Sequence, residues 1–509
     1  MEITIKQGDN IELLKQYPDN YFDSVVTDCP YGLGKEPDAL KLLQDWIDHG
    51  YHAIKGKGFM GNEWDAFVPQ PLFWKEVFRV LKPGGYVLAF FGTRTYDWGT
   101  MAIRLTGFEI RDMITWHYGS GFPKSLDVSK QMDKIAGAER AEIGIGKAGS
   151  GMNPVKGFGK NTTKSKLAKC CRNCGNELNK ITHADYKYEC IDCDESFFEF
   201  ETVDKEIFVE AKKEWSITEP STDDAKQWAG YGTAIKPATE PICVARKPIE
   251  GTVANNILKY GTGGINIDGC RIGEAGARNN GSKPDIQGYS SNQIHGKYKA
   301  TEPIDYEMGR FPANVIFDPY MAAILDEQTG ELTSGKPSGK RNASNKIYGQ
   351  YAPGQDVTGF GDTGGASRFF YCAKASQDER NAGCEHLIKQ QGGMVSNTSG
   401  QHMTRRDEGG MPDPVANFHP TVKPISLIRY LQRLVTPKGG KCLDPYAGSG
   451  TSGCAAAFED IGEIVLMEMM PEYLPIIEAR TKYWQKKANR ERYIQELKDS
   501  QTSLFDAVA

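Results

Sequence analysis

Three short groups of residues in this chain could do chemistry. Residues 28–31 read Asp-Cys-Pro-Tyr and follow the apolar run Phe-Asp-Ser-Val-Val at 22–26. A buried strand would thus end in a carboxylate, a rigid turn and an aromatic ring, although Asp and Pro also favour ordinary turns. Residues 443–453, Leu-Asp-Pro-Tyr-Ala-Gly-Ser-Gly-Thr-Ser-Gly, place Gly448, Gly450 and Gly453 between a strand and a helix, with Glu468 closing the next strand. This is the G-x-G-x-x-G spacing with an acid about twenty residues on. The glycines let the backbone approach a ligand, and the carboxylate can accept hydrogen bonds from ribose hydroxyls. NAD, FAD and S-adenosylmethionine all suit such a loop, and a plain left-handed turn would leave the same trace.

The third group is Cys171-x2-Cys174-x15-Cys190-x2-Cys193. Two thiolate pairs on knuckle turns close a tetrahedral zinc site, and four thiolates leave no open position, so the metal would be structural. Cys170 competes with Cys171, and His183 reads as a surface residue. The remaining composition is that of an ordinary globular protein: 509 residues, 39% hydrophobic, 25% charged, net charge −5. No basic-then-apolar leader opens the chain and no apolar stretch is long enough to cross a bilayer, so a cytosolic protein with reduced thiols is expected. Any nucleic-acid contact must rest on a local basic face. The candidate is 156–180, with Lys156, Lys160, Lys164, Lys166, Lys169, Arg172 and Lys180, although charge alone favours reading it as a solvated linker.

These groups need elements to position them. Residues 1–120 alternate strand and helix, as an α/β protein with a mostly parallel, helix-covered sheet does. The pattern returns from about residue 419. Between them, 137–170, 260–300 and 330–366 are rich in Gly, Ser, Asn and Lys. The two ends therefore read as halves of one sheet split by a large insertion.

Phe-His-Pro-Thr-Val-Lys-Pro at 418–424 joins the Asp-Cys-Pro-Tyr and glycine-loop segments as a set of three. In this order the set resembles the amino-group DNA methyltransferases that act on the N6 of adenine or N4 of cytosine, in the permuted motif arrangement. The match is specific over 1–120 and 418–484. Middle segments such as GYGTAIKPATEPICVARKP are similar to phage and prophage members, some of which serve restriction–modification. The resemblance implies a doubly wound, Rossmann-like, circularly permuted sheet that uses S-adenosylmethionine, with a zinc-ribbon-like module inside the central insertion.

It also implies roles. Asp28 and the Cys29 carbonyl would accept the two hydrogens of an exocyclic amine, aiming its lone pair at an electrophilic methyl group. Pro30 would hold the turn, and Tyr31 would stack on a base swung out of the duplex, a contact worth about 1–3 kcal/mol against an unstacking cost of a few. Cys29 replaces the usual proline, which costs rigidity but not the carbonyl. A nucleophilic role for Cys29, as in cytosine ring-carbon enzymes, lacks the Pro-Cys order and their other motifs. For the cofactor, Asp444 and the Gly448–Gly450 backbone would lie near the methionine amine and sulfonium, with Tyr446 and Thr451 lining the pocket. Thr421 and Lys423 would face the methionine carboxylate, Glu468 the ribose, and Asp9 the adenine, although Asp9 also suits a helix N-cap.

The expected organisation is a catalytic half at 1–124, a basic loop and zinc module at 125–235, a sheet strand at 236–250, a target-recognition region at 251–410, a cofactor half at 411–487 and a tail at 488–509. The strands around 111–118 and 240–248 are expected to pair as the sheet's terminal hairpin, with the zinc module at its tip. In the tail, Gln501, Leu504 and Phe505 resemble the peptide that docks bacterial sliding clamps. The expected activity is site-specific methylation of adenine's amine in double-stranded DNA. Cytosine-amine methylation is the nearest alternative; methylation of RNA or protein, or a catalytically dead DNA-binding protein, is more remote.

Overall fold

A computed structural model describes residues 1–54, 56, 58, 63–119, 125–147, 163–170, 179–180, 188–190, 195–197, 203–210, 214–273, 309–333, 363–373, 377–389 and 415–506. The chain forms two compact units, one of residues 1–120, 238–384 and 421–509, the other of 121–237 and 385–420.

In the first unit, nine strands of the described residues form one sheet. In chain order they are β1 (Glu2–Gln7), β2 (Phe22–Asp28), β3 (Leu81–Phe90), β4 (Glu109–His117), β5 (Thr239–Arg246), β6 (Val315–Phe317), β7 (Tyr371–Cys372), β8 (Lys441–Asp444) and β9 (Glu463–Glu468). Their spatial order is β1-β9-β8-β2-β3-β5-β4-β6-β7. From β1 to β3 all neighbours run parallel, whereas β5 runs antiparallel to both β3 and β4. The N-terminal strand lies beside the one that ends in Glu468, Gln7 opposite Glu468. Residue 28, residue 90, residue 444 and residue 468 therefore all end strands at one edge, the carboxyl edge where open α/β sheets bind ligands.

The sequence makes these strands by simple means. β2 is apolar on both faces, with Phe22, Val25 and Val26 fully buried, as a parallel strand covered on both sides must be. Helices supply the covers. In chain order these are α1 (Asn10–Leu14), α2 (Ala39–His49), α3 (Pro71–Val80), α4 (Tyr96–Leu105), α5 (Val253–Tyr260), α6 (Ile425–Val435), α7 (Thr451–Ala456), α8 (Leu474–Gln485) and α9 (Lys487–Asp506). In α3, Pro71 starts the first turn and Phe73, Trp74, Val77 and Val80 make the buried face. α6 buries residues around almost its whole circumference, packing with Val26, Leu88 and Ile242 on one face of the sheet. Val25, Val87 and Cys243 belong to the core on the other face.

Three expectations change. β4 and β5 do pair antiparallel, Thr239 opposite His117, but not as a terminal hairpin. β5 lies between β3 and β4, and the short strands β6 and β7 continue the sheet beyond β4. Those strands fall in the segment assigned to target recognition, much of which the sheet unit takes in. The segment expected as a tail at 488–509 is structured where it is described: residues 487–506 are helical, and Tyr493 is buried with its hydroxyl donating to Glu379 at 2.8 Å.

The second unit contains helices Val128–Ala136 and Asp223–Gln227, joined through Asp133, which accepts from Arg140 at 2.7 Å and from the Thr222 backbone at 2.9 Å. Strands Thr163–Cys170 and Val203–Glu210 pair antiparallel, and Asn179–Lys180, Tyr188–Cys190 and Glu195–Phe197 form a small antiparallel sheet. Cys171, Cys174 and Cys193 lie outside the described residues, as do Lys156, Lys160 and Arg172; of Cys190 only the strand position is described. The side chains of Gln501, Leu504 and Phe505 are likewise outside them. Among the described residues no helix is long and apolar enough to cross a membrane.

Candidate active site

The turn after β2 is held in place from two sides. Asp65, itself buried, accepts the backbone N–H groups of Tyr31 at 2.9 Å and Gly32 at 3.1 Å through one oxygen. The Thr95 hydroxyl donates to the Tyr31 carbonyl. Gly32 has φ +66°, and a Cβ there would come within 2.9 Å of the Val68 backbone, so this turn has room only for glycine. Cys29 is packed into the core with Phe67 and Val68. Burial, followed by the charges of Asp28 and Asp444, pushes its thiol well above the ordinary range. A protonated, buried thiol is no nucleophile at neutral pH.

Asp28 does not stand alone at the strand end. The Lys423 ammonium lies 2.7 Å from Asp28 Oδ2 and 3.3 Å from a Glu240 carboxylate oxygen. It also sits over the rings of Tyr31, at 5.3 Å, and Phe90, at 5.1 Å. The Tyr31 hydroxyl donates to Glu240 Oε2 at 2.9 Å. Burial alone would lower the Lys423 pKa, but the charges of Asp28 and Glu240 outweigh it and hold the ammonium above its usual value. Burial, then those same two charges, raises the Tyr31 phenol and keeps it protonated. The expectation that Lys423 faces a cofactor carboxylate thus meets a different seat, on the carboxylates of Asp28 and Glu240. Thr421, two residues before it, is exposed.

One strand over, β8 ends at Asp444. The Thr27 hydroxyl donates to Asp444 Oδ1 at 2.7 Å, the Ser452 hydroxyl to Oδ2 at 2.5 Å and the Tyr446 N–H to Oδ1 at 3.2 Å. Burial is the largest influence and raises this carboxyl to about 6, against those hydrogen bonds. The Thr27–Asp444 contact joins the Asp-Cys-Pro-Tyr turn to the glycine loop across adjacent strands.

The loop then turns through Gly448, at φ +52°, and Gly450, at φ +74°, into α7, whose first residue is the buried Thr451. A Cβ on Gly450 would meet Ile477 of α8 at 2.9 Å. Glu468 accepts the Gly448 N–H through one oxygen and the Met470 N–H through the other, each at 2.8 Å, and burial raises its pKa. Tyr446 packs its ring 5.2 Å from that of Phe73. Asp9 caps α1, accepting from Ile11 and Glu12, while Asn10 donates to the Pro445 carbonyl at 3.2 Å and brings the N-terminus to this loop.

Three residues absent from the sequence-based site support it: Glu240, Asp65 and Arg480. Arg480, fully buried, donates to the Ser449 carbonyl at 2.7 Å and to the Ser449 and Thr451 hydroxyls at 3.0 Å, bracing the loop from behind. Among the described residues no cluster of His, Cys, Asp or Glu is arranged to hold a metal.

A family model described as DNA methylase matches residues 22–144 and 156–479. The chain belongs to that family, the amino-group DNA methyltransferases. Two curated relatives of the chain are the type II methyltransferases M.HpaI of Haemophilus parainfluenzae, 30% identical over 25% of this chain, and M.ScaI of Streptomyces caespitosus, 26% identical over 26%. The matches span only 35% and 40% of those relatives' own lengths. Among solved structures, the cytosine-N4-specific PvuII DNA methyltransferase superposes with TM-score 0.35 at 11% identity, over 94% of this chain and 86% of that one. The M1.HpyAVI–SAM complex superposes at 0.30 and 11%, over 94% and 99%.

Proposed function

We propose that this methyltransferase transfers a methyl group from S-adenosylmethionine to the exocyclic amine of adenine in double-stranded DNA, at a defined site. The observation that carries this reading is the Thr27–Asp444 hydrogen bond, which sets an amine acceptor and a cofactor loop on neighbouring strand ends. An acid at the first motif position favours adenine over cytosine, whose enzymes tend to carry serine there.

The donor set suits the cofactor. A cationic, ribose-bearing ligand finds two buried carboxylates, Asp444 toward its charged end and Glu468 toward its ribose, beside a loop with no side chains at positions 448 and 450. Tyr446 and Thr451 line the pocket and Asp9 stands by the adenine. When bound, the cofactor supplies the electrophilic methyl.

The protein does the rest by positioning. Asp28 accepts one amine hydrogen and the Cys29 carbonyl the other, so that nitrogen's lone pair leaves the ring's π system and points at the methyl carbon. The bound cofactor would supply the methyl group and keep the bonding electron pair on its sulfur, Asp28 and the Cys29 carbonyl would hold the amine nitrogen that receives it, and the surplus N–H proton would pass to solvent. Tyr31, anchored through its hydroxyl, offers its ring to the extruded base.

In this reading the sheet is circularly permuted: β1 completes it beside β9. Cys171, Cys174, Cys190 and Cys193 hold a structural zinc, supported by their spacing and by the strand Tyr188–Cys190, which ends where the second pair begins. The basic strand with Lys164, Lys166 and Lys169 grips phosphates. Gln501, Leu504 and Phe505 dock a sliding clamp, which loss of clamp pull-down on removing residues 501–509 would support. The substrate assignment is tested by digesting DNA methylated by the protein and identifying the nucleoside. N6-methyl-2′-deoxyadenosine is expected; N4-methyl-2′-deoxycytidine would replace the adenine assignment with its cytosine counterpart.

A further inference from the structure

The Lys423 ammonium stands where the substrate amine is needed. It donates to Asp28 Oδ2 at 2.7 Å and covers the Tyr31 ring at 5.3 Å, so it uses both an acceptor and a π face required by an extruded base. An ammonium and an exocyclic amine present the same chemistry to a carboxylate, N–H donors at one nitrogen. With the ammonium held on Asp28, the carboxylate's charge is partly neutralised and its approach obstructed. A second seat lies close by. Glu240 Oε2 is 3.3 Å from the same nitrogen, only 0.6 Å longer than the 2.7 Å contact to Asp28, so both carboxylates are within reach of the one ammonium. Glu240 is itself fixed, since the Tyr31 hydroxyl donates to it and its strand places it opposite Trp116.

We infer that Glu240 is a positioning residue that draws Lys423 off Asp28 when the target base enters, so that Lys423 acts as a placeholder for the amine in the free enzyme. This rests on the proposed amine methylation at Asp28. It assigns Glu240 a part that neither the sequence motifs nor the cofactor loop require. Two carboxylates share one ammonium, and the incoming amine can take Asp28 without leaving either charge unpartnered in a buried place. Without Glu240 the base would have to displace the ammonium from Asp28 with no anion to receive it.

The test compares Glu240→Gln, Glu240→Asp and the double variant Glu240→Gln with Lys423→Met, using full-length protein and duplex DNA bearing the enzyme's own methylated site. Glu240→Gln should lower kcat by about tenfold or more, because the ammonium stays on Asp28, while KM for DNA and cofactor affinity change by less than about twofold. Glu240→Asp should restore most of kcat by restoring the anion. In the double variant the placeholder is gone, and kcat should rise several-fold above that of Glu240→Gln alone, a coupling that a purely structural glutamate would not give. Wild-type kcat in Glu240→Gln overturns the inference, as does a double variant no faster than Glu240→Gln. If Glu240→Gln fails to fold, the decision passes to Glu240→Asp, which folds with its charge in place: a rate at or near zero in that variant also overturns the inference. Failure of the underlying reading is distinguishable, since then the wild type itself leaves no methyl group on DNA.

Discussion

Replacing Gly450 by alanine tests the cofactor loop where its geometry is tightest. The residue sits at φ +74°, and an alanine in that left-handed region costs about 1–2 kcal/mol. Its new Cβ would lie 2.9 Å from Ile477 Cγ2, closer than real Cβ contacts come, and 3.1 Å from Ile477 Cα, close enough that the helix backbone would have to give by a few tenths of an ångström. Since one of those atoms is α8 backbone, the strain cannot be relieved by rotating a side chain, and overpacking of this kind adds about 1–3 kcal/mol. The sum is about 2–5 kcal/mol, and the lower figure alone corresponds to about thirtyfold in affinity if the loop must regain its native path to bind. Titration calorimetry with S-adenosylmethionine reads that loss directly. Gly453→Ala is the control: its Cβ would meet Leu466 and Thr481 side chains at 2.7 Å in the helix interior, so it should cost stability more than affinity. Gly450→Ala that binds the cofactor like the wild type, with an unchanged melting temperature, would refute the reasoning.

Asp65→Ala leaves the Tyr31 and Gly32 N–H groups without their shared acceptor, so stability should fall by about 2–4 kcal/mol in denaturant unfolding and methylation should fall with it. Asp444, at about 6 in the fold against roughly 3.9 unfolded, holds a proton between those values that the unfolded chain has lost. Its contribution to stability therefore declines as pH rises through that window, whereas affinity for a cationic cofactor moves the other way. About a tenth of it is ionised at pH 5, so binding there should be about tenfold weaker than at pH 7.5, and Asp444→Asn should remove most of that slope. For the zinc proposal, metal analysis of the purified protein should give one zinc per chain, and Cys174→Ser should lower it; a metal-free wild type would end that proposal.

What could be read from the sequence was what lies contiguous in it. β2, α3, β3 and α6 follow from apolar runs and helical spacing, and the acid-turn-aromatic and glycine segments each carry their chemistry within a few neighbouring residues. Glu240 does not: it is one acid before an apolar strand, and only pairing of β5 with β3 and β4 brings it to Tyr31, 209 residues earlier. Asp65 and Arg480 were hidden for the same reason, each acting on a loop formed elsewhere in the chain. β6 and β7, of three and two residues, are too short to leave a pattern. The last helix reads as a tail because it is polar almost throughout; among its described side chains, Tyr493 is buried and Leu497 packs partly against the same core. For Lys423 the motif was visible, but not the two carboxylates that the fold gathers around it. Asp9 does serve as a helix cap, the ordinary reading of its place before α1.

The most direct measurement is methyl transfer from labelled S-adenosylmethionine to duplex DNA by the wild type and by Asp28→Ala, with cofactor binding measured on both. Label on the adenine amine with the wild type, and a rate lower by a factor of about 10²–10⁴ in the variant with cofactor affinity within a few-fold, is what a carboxylate acting on the reacting nitrogen requires. Equal rates in the two proteins would contradict it.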